Sequence, residues 1–153
     1  MNQEKHELHP MQLISLAVKR LHAEVHDPDE AKVWDKEVNF SFQSGHNAFD
    51  KESSSISVGV RASVGRDCDG ETAESEVPFL LEVEVVGLFT IDTQRFEERM
   101  IDAWARGNAP FLLLPYVREH LYGLASRLGI RELLVPLFVQ PQFRPFSDSN
   151  TSR

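Results

Sequence analysis

Apolar and polar positions alternate most regularly between Ser55 and Val64, with Ile56, Val58, Val60, Ala62 and Val64 on one side and Ser55, Ser57, Gly59, Arg61 and Ser63 on the other. A period of two over this length predicts a half-buried antiparallel strand. Pro78 to Ile91 predicts a longer one: Phe79, Leu81, Val83, Val85, Phe89 and Ile91 share a parity, opposite a mixed face of Leu80, Glu82, Glu84, Val86 and Leu88. Val33 to Phe42 carries Val38, Phe40 and Phe42 in alternation with Asn39 and Ser41, a strand closed by Ser44-Gly45-His46-Asn47. Met11 to Val25 fits two periods, because Leu13, Leu16, Ala17 and Leu21 make a helical face while Ile14, Leu16 and Val18 alternate. If it is a strand, its apolar parity switches at Lys19 and Arg20, which predicts a bulge there.

The longest helical pattern runs from Asn108 to Gly129, where Leu114, Val117, Leu121, Leu124 and Leu128 recur at spacings of three and four. Pro110 suits a first turn, Gly129 suits a left-handed residue past the end, and Arg127 complements the helix dipole. Pro115 predicts that the helix begins or bends there. A shorter helix is predicted from a cap at Asp92 or Thr93 to Arg106, burying Phe96, Met100, Ala103 and Trp104 and ending at Gly107. Pro136, Pro141 and Pro145 prevent a further long helix. Strands first and helices last predict one α+β domain over residues 12–146, with a short and a long helix on one face of an antiparallel sheet. Residues 1–11 and 147–153 read as a flexible arm and a flexible tail.

A formal charge of −8 argues against nucleic acid and anionic membrane surfaces as partners. Cys68 stands alone, so neither an intrachain disulfide nor a cysteine-based zinc site is available. With no signal-like or membrane-spanning apolar run, the sequence reads as cytoplasmic, without membrane insertion. His22, Glu24 and His26 share a strand parity, but alternate strand residues stand about 7 Å apart, too far to converge on one ion. Asp67-Cys68-Asp69-Gly70 with Glu76 lacks the first carboxylate of a calcium loop, since Gly65 stands in its place, and reads as a hairpin loop. No nucleophile elbow or phosphate-cradling glycine loop is present. Arg118, Glu119 and His120 are consecutive on a helix and point about 100° apart, which does not make one constellation. The expectation is a protein that is not an enzyme and needs no cofactor or metal.

PFLLEVEVVGLFTI from Pro78 to Ile91, NAPFLLLPYVREHLYGLASRLG from Asn108 to Gly129, and the following LLVPLF resemble the SecB family of bacterial export chaperones. The most specific part is Pro115-Tyr116-x-Arg118-Glu119. The resemblance implies a strand at Met11 to Val25 that completes a four-stranded antiparallel sheet backed by the long helix, a homotetramer built as a dimer of dimers, and unfolded polypeptide clients held in long apolar grooves without nucleotide. It places an outer-face contact with the SecA motor at Leu80 and Glu82. Groove candidates are Phe40, Phe42, Trp104, Phe111, Tyr122 and Phe138; Gly123, Ala125 and Ser126 suit packing between long helices. Three departures bear on the role: Val86 stands for a usual glycine, Pro136-Leu137-Phe138 lacks the usual asparagine, and prolines replace the last amphipathic helix. The resemblance therefore implies a chaperone keeping precursors competent for the Sec translocase, or alternatively one dedicated to an antitoxin in a toxin-antitoxin-chaperone system. From another class, a sheet around a long helix also fits a small-molecule binding or thioesterase-like enzyme. That alternative requires an acid or base beside the helix, and its apolar stripe offers none.

Overall fold

The computed structural model describes residues 5–65, 77–131, 133–137 and 142–146. In chain order these form β1 (Met11–Val25), α1 (Pro28–Lys32), β2 (Phe40–His46), β3 (Ser55–Val64), β4 (Phe79–Ile91), a 3-10 turn (Glu98–Met100), α2 (Ile101–Gly107), α3 (Ala109–Arg127) and β5 (Phe143–Pro145). The sheet order is β1-β4-β3-β2-β5. The first four strands pair antiparallel, as the alternation predicts, and β5 adds a short fifth strand parallel to β2.

β1 settles the ambiguity of its sequence as a strand, and its register with β4 shifts between Val18 and Arg20, where the parity switch predicts a bulge. A second shift lies between Leu13 and Ser15. Asp27-Pro28-Asp29 ends the strand and also opens α1, which the sequence reading did not include. Asp27 accepts hydrogen bonds from the Asp29 and Glu30 N–H groups, and Pro28 occupies the first turn, where its missing donor costs nothing. β2 begins and ends later than predicted: Val38 precedes it, while Ser44, Gly45 and His46 belong to it rather than to a closing turn. Their pairing with Val60, Gly59 and Val58 outweighs their turn chemistry.

The core lies between α3 and the inner sheet face. Ile56, Val58, Val60, Leu81, Val83 and Val85 are buried there, together with Leu113, Leu114, Val117 and Leu121 of the helix. Gly87 sits on that inner parity of β4, and a Cβ at this position would fall 2.7 Å from Leu113 and 2.9 Å from Leu13. The glycine thus lets the helix press onto the sheet. α3 starts at Ala109 and runs through Pro115 instead of beginning there, because Pro110 takes the first turn and tertiary packing outweighs the loss of one hydrogen bond at Pro115. It ends as the sequence indicates: Gly129 adopts φ +79°, Ile130 N–H donates to the Ala125 carbonyl at 3.0 Å, and Gly129 N–H donates to that of Ser126 at 3.2 Å.

The helix predicted from Asp92 is shorter than expected. Asp92 instead caps a turn, its side chain accepting the Gln94 N–H and its carbonyl those of Arg95 and Phe96. α2 then buries Ile101, Trp104 and Ala105, leaving Met100 and Ala103 exposed and Phe96 half-buried. The described end of the N-terminal arm is tied down: Arg95 donates to the Leu8 carbonyl at 2.8 Å and to Glu7 at 3.0 Å. No helix among the described residues is long and apolar enough to cross a membrane.

Candidate functional site

Near the junction of α2 and α3, aromatic side chains from three elements, β2, β5 and α3, converge on the β2 edge of the sheet. The Phe42 ring stands 5.8 Å from Phe143 of β5, which in turn meets Phe111 of α3 edge-on at 5.6 Å. Phe40 stacks on Phe42 at 6.3 Å, extending the row along the strand. A cleft of about 570 Å³ opens beside it, lined by Gly45, His46, Ala105, Phe143 and Phe146. On the other side of the junction a second cleft, about 510 Å³, is lined by Met11, Trp104, Asn108, Phe111 and Leu112. Phe111 therefore borders both the aromatic row and the second cleft, and its side chain is 40% exposed. Trp104 forms a wall anchored from beneath by an edge-on contact with Phe89 at 5.1 Å.

The chemistry offered here is apolar surface beside a sheet edge. Such a surface binds extended chains by burying side chains and pairing backbone, at roughly 25 cal/mol per Å² of apolar area, with little dependence on sequence. Among the described residues no cluster of three His, Cys, Asp or Glu is placed to hold a metal ion. Asp50, in the turn between β2 and β3, has its carboxyl held below the ordinary range by the Ser53 hydroxyl and by the Glu52 N–H. Its hydrogen bonds organise that turn.

Of the six groove candidates, Phe40 and Phe42 join Phe111 through Phe143, and Trp104 meets Phe111 across the second cleft; Phe42 and Trp104 are themselves buried, so Phe111 carries most of the exposed surface. Tyr122 does not join them: it is exposed on α3 about 16 Å along the axis from Phe111. Phe138 lies outside the described residues. The pattern missed Phe143 and Phe146, since three prolines in the C-terminal stretch made it read as loop and tail. The one signal for them was the pair of glycines facing each other in β2 and β3, Gly45 and Gly59, which leaves bare backbone where side chains belong.

Leu80 and Glu82 occupy the face opposite α3, where each is only 5% exposed, so this face covers both side chains rather than displaying them. Arg20 reaches Glu82 at 3.3 Å, and together with Leu21 and His22 they line a shallow cleft of about 320 Å³. Glu84 is equally buried and accepts from Arg61 Nε and Nη2 at 3.1 and 3.0 Å, while Arg61 Nη1 donates to Gln43. The three proposed interface residues of α3 divide. Ala125 is buried in the monomer core, because its helical position turns it toward the sheet, whereas Ser126 is exposed and Gly123 faces open space.

The fold agrees with what known proteins show. The family model described as preprotein translocase subunit SecB matches residues 4–139. No curated protein matches the sequence. Among solved structures, the chain is similar to a Mycobacterium tuberculosis SecB-like chaperone in complex with a ChAD peptide from the HigA1 antitoxin, with a TM-score of 0.63 and 20% identity over 87% of this chain and 94% of that one. A protein of unknown function from Streptococcus agalactiae aligns with a TM-score of 0.42 and 14% identity over 83% and 97% of the two chains. With the family model covering most of its length and the SecB-like fold beneath the groove, the chain belongs to the SecB family of chaperones.

Proposed function

We propose that this protein binds non-native polypeptides as extended segments along the aromatic groove and holds them, in the cytoplasm, in a form the Sec translocase can accept. The observation that carries this is the aromatic row of Phe42, Phe143 and Phe111 at the β2 edge, continuous through the exposed Phe111 and Leu112 with the cleft that Trp104 walls, which offers a client apolar burial and, where β5 gives way, backbone pairing. The test is suppression of aggregation, without ATP, of two chemically unfolded proteins, one an export precursor and one not. Suppression of both at near-stoichiometric protein is expected; suppression of neither refutes the general holding role.

A second reading, a chaperone dedicated to one antitoxin, is favoured by the antitoxin peptide bound to the M. tuberculosis SecB-like protein and by the prolines standing where an export chaperone ends in a helix. It predicts tight binding of a single client. Contact with SecA is proposed for the face bearing Leu80 and Glu82. Since both are covered, their neighbours Arg20 and His22 at the shallow cleft would carry the exposed part of that contact.

The proposed assembly is a homotetramer. Two surfaces support it: the β1 edge, where Ile14, Val18 and Leu21 are exposed, and the outer stripe of α3, where Leu112 and Tyr116 are exposed near Gly123. Gly123→Leu separates assembly from folding, because a side chain there meets nothing within 4 Å in the monomer. Helix propensity favours the leucine by roughly 0.8 kcal/mol, so the monomer should be slightly stabilised while the tetramer dissociates. Light scattering together with thermal unfolding checks both effects, and an intact tetramer would remove α3 from the interface.

A further inference from the structure

The β2 edge is already occupied, by the same chain. Phe143, Arg144 and Pro145 pair in parallel with Phe42, Gln43 and Ser44, and the Phe146 N–H donates to the Ser44 carbonyl at 3.2 Å. Two aromatic rings anchor this short strand from opposite faces of the sheet, as a spacing of three in an extended chain requires. Phe143 enters the aromatic row between Phe42 and Phe111. Phe146 lies on the other face, over Gly45 and Gly59, which are register partners in β2 and β3. A Cβ on Gly45 would collide with the Phe146 ring, and one on Gly59 would come within 3.1 Å of it. The Arg61 guanidinium covers the ring at 5.1 Å from its centroid.

Facing glycines inside two paired strands sacrifice packing and backbone entropy. What they create here is a flat seat that accepts an aromatic ring. The occupant is weakly held by its own backbone: the pairing spans three residues, it is parallel, Pro145 has no N–H to give, and Arg144 and Pro145 are exposed. Its retention rests on the two rings. An incoming extended chain with the same aromatic spacing makes the same contacts.

We propose that the β2 edge with its two aromatic seats is the docking site for an extended polypeptide strand carrying aromatic residues three apart, and that Phe143–Phe146 is the internal occupant such a strand must displace. This rests on the chaperone reading and adds the site's preferred occupant and a built-in competitor. The apparent affinity for a client is then lowered in proportion to the fraction of molecules whose edge is vacant.

The test uses the full-length protein and two probes: a fluorescent peptide Gln-Phe-Arg-Pro-Phe-Ser, copied from residues 142–147, and reduced, carboxymethylated α-lactalbumin as a permanently unfolded chain. Phe143→Ser with Phe146→Ser is expected to bind both probes about tenfold more tightly than the unaltered protein. Phe146→Ser alone, which leaves the helix side of the sheet untouched, is expected to give part of that gain and serves if the double variant does not fold. Adding Gly45→Val to either variant should abolish the gain by filling the seat. Unchanged or weaker binding of both probes by the folded variants overturns the proposal, and if the unfolded chain still binds, the chaperone reading stands without it. Binding of the peptide with none of the unfolded chain, in any variant, overturns the client assignment and the chaperone reading together.

Discussion

Phe89→Ala is expected to destabilise the fold by about 3–5 kcal/mol, the usual cost of removing a large aromatic from a core that cannot collapse around the gap. Phe89 is 1% exposed and sits in a central strand, with Leu13 opposite it in β1 and Ile56 opposite it in β3. Neighbours held by pairing on both sides have little freedom to close a cavity. The edge-on contact with Trp104 is lost as well, an interaction worth about 0.5–1.5 kcal/mol beyond area burial. Because Trp104 also walls the second cleft, the same change should weaken client binding in molecules that remain folded. Urea unfolding followed by circular dichroism, at one protein concentration so that assembly does not shift the midpoint, measures the loss. Phe89→Leu should cost less, roughly 1–1.5 kcal/mol, since it keeps most of the volume. A cost below about 1 kcal/mol for the alanine would show that this part of the groove wall is not core-supported.

How far the sequence discloses this architecture depends on whether the information is local. β3 and β4 are legible because each alternates for ten residues or more with one apolar parity, and a one-residue slip would turn serines and glutamates onto the apolar side that faces α3. The bulge in β1 is legible for the same reason, as a break in parity. α3 shows both its buried stripe and its glycine stop, yet its start is masked by two competing prolines, and only packing decides between them. β5 has no period at all; three residues including a proline become a strand only because the β2 edge and two ring seats are waiting. The groove divides in the same way. Phe40, Phe42, Trp104 and Phe111 follow from aromatic residues on elements that the family arrangement brings together, whereas Tyr122 lies too far along α3 to join them. The outer sheet face is the least legible part, since its alternation shows Glu82 and Glu84 only as members of a mixed face. Their burial depends on Arg20 and Arg61, residues on strands paired to β4 from either side, and single-strand alternation cannot reveal such partners.

That covered face yields the second large effect. Glu84→Ala is expected to cost about 3–5 kcal/mol, because removing one partner of a buried ion pair strips the other of the charge that compensated its desolvation. Glu84 is 5% exposed, the Arg61 side chain is 17% exposed, and two guanidinium nitrogens converge on one carboxylate oxygen. Lys19 adds little at 3.8 Å with a side chain that is 68% exposed. Replacing both partners, Arg61→Leu with Glu84→Leu, should recover most of the loss, since an apolar pair of similar volume avoids the desolvation that the ions incur. It also removes the cation over Phe146, so the double variant should loosen the β5 segment without unfolding the sheet. Urea midpoints for the single and double variants, measured at 0.1 M and 0.5 M NaCl, decide the matter. A cost insensitive to salt identifies a buried pair, and one that falls below about 1 kcal/mol at high salt identifies a solvated one. The outcome also fixes what a partner docking on this face encounters. A buried, compensated pair presents little free charge of its own, so recognition there would fall to the exposed side chains of β1 at its rim.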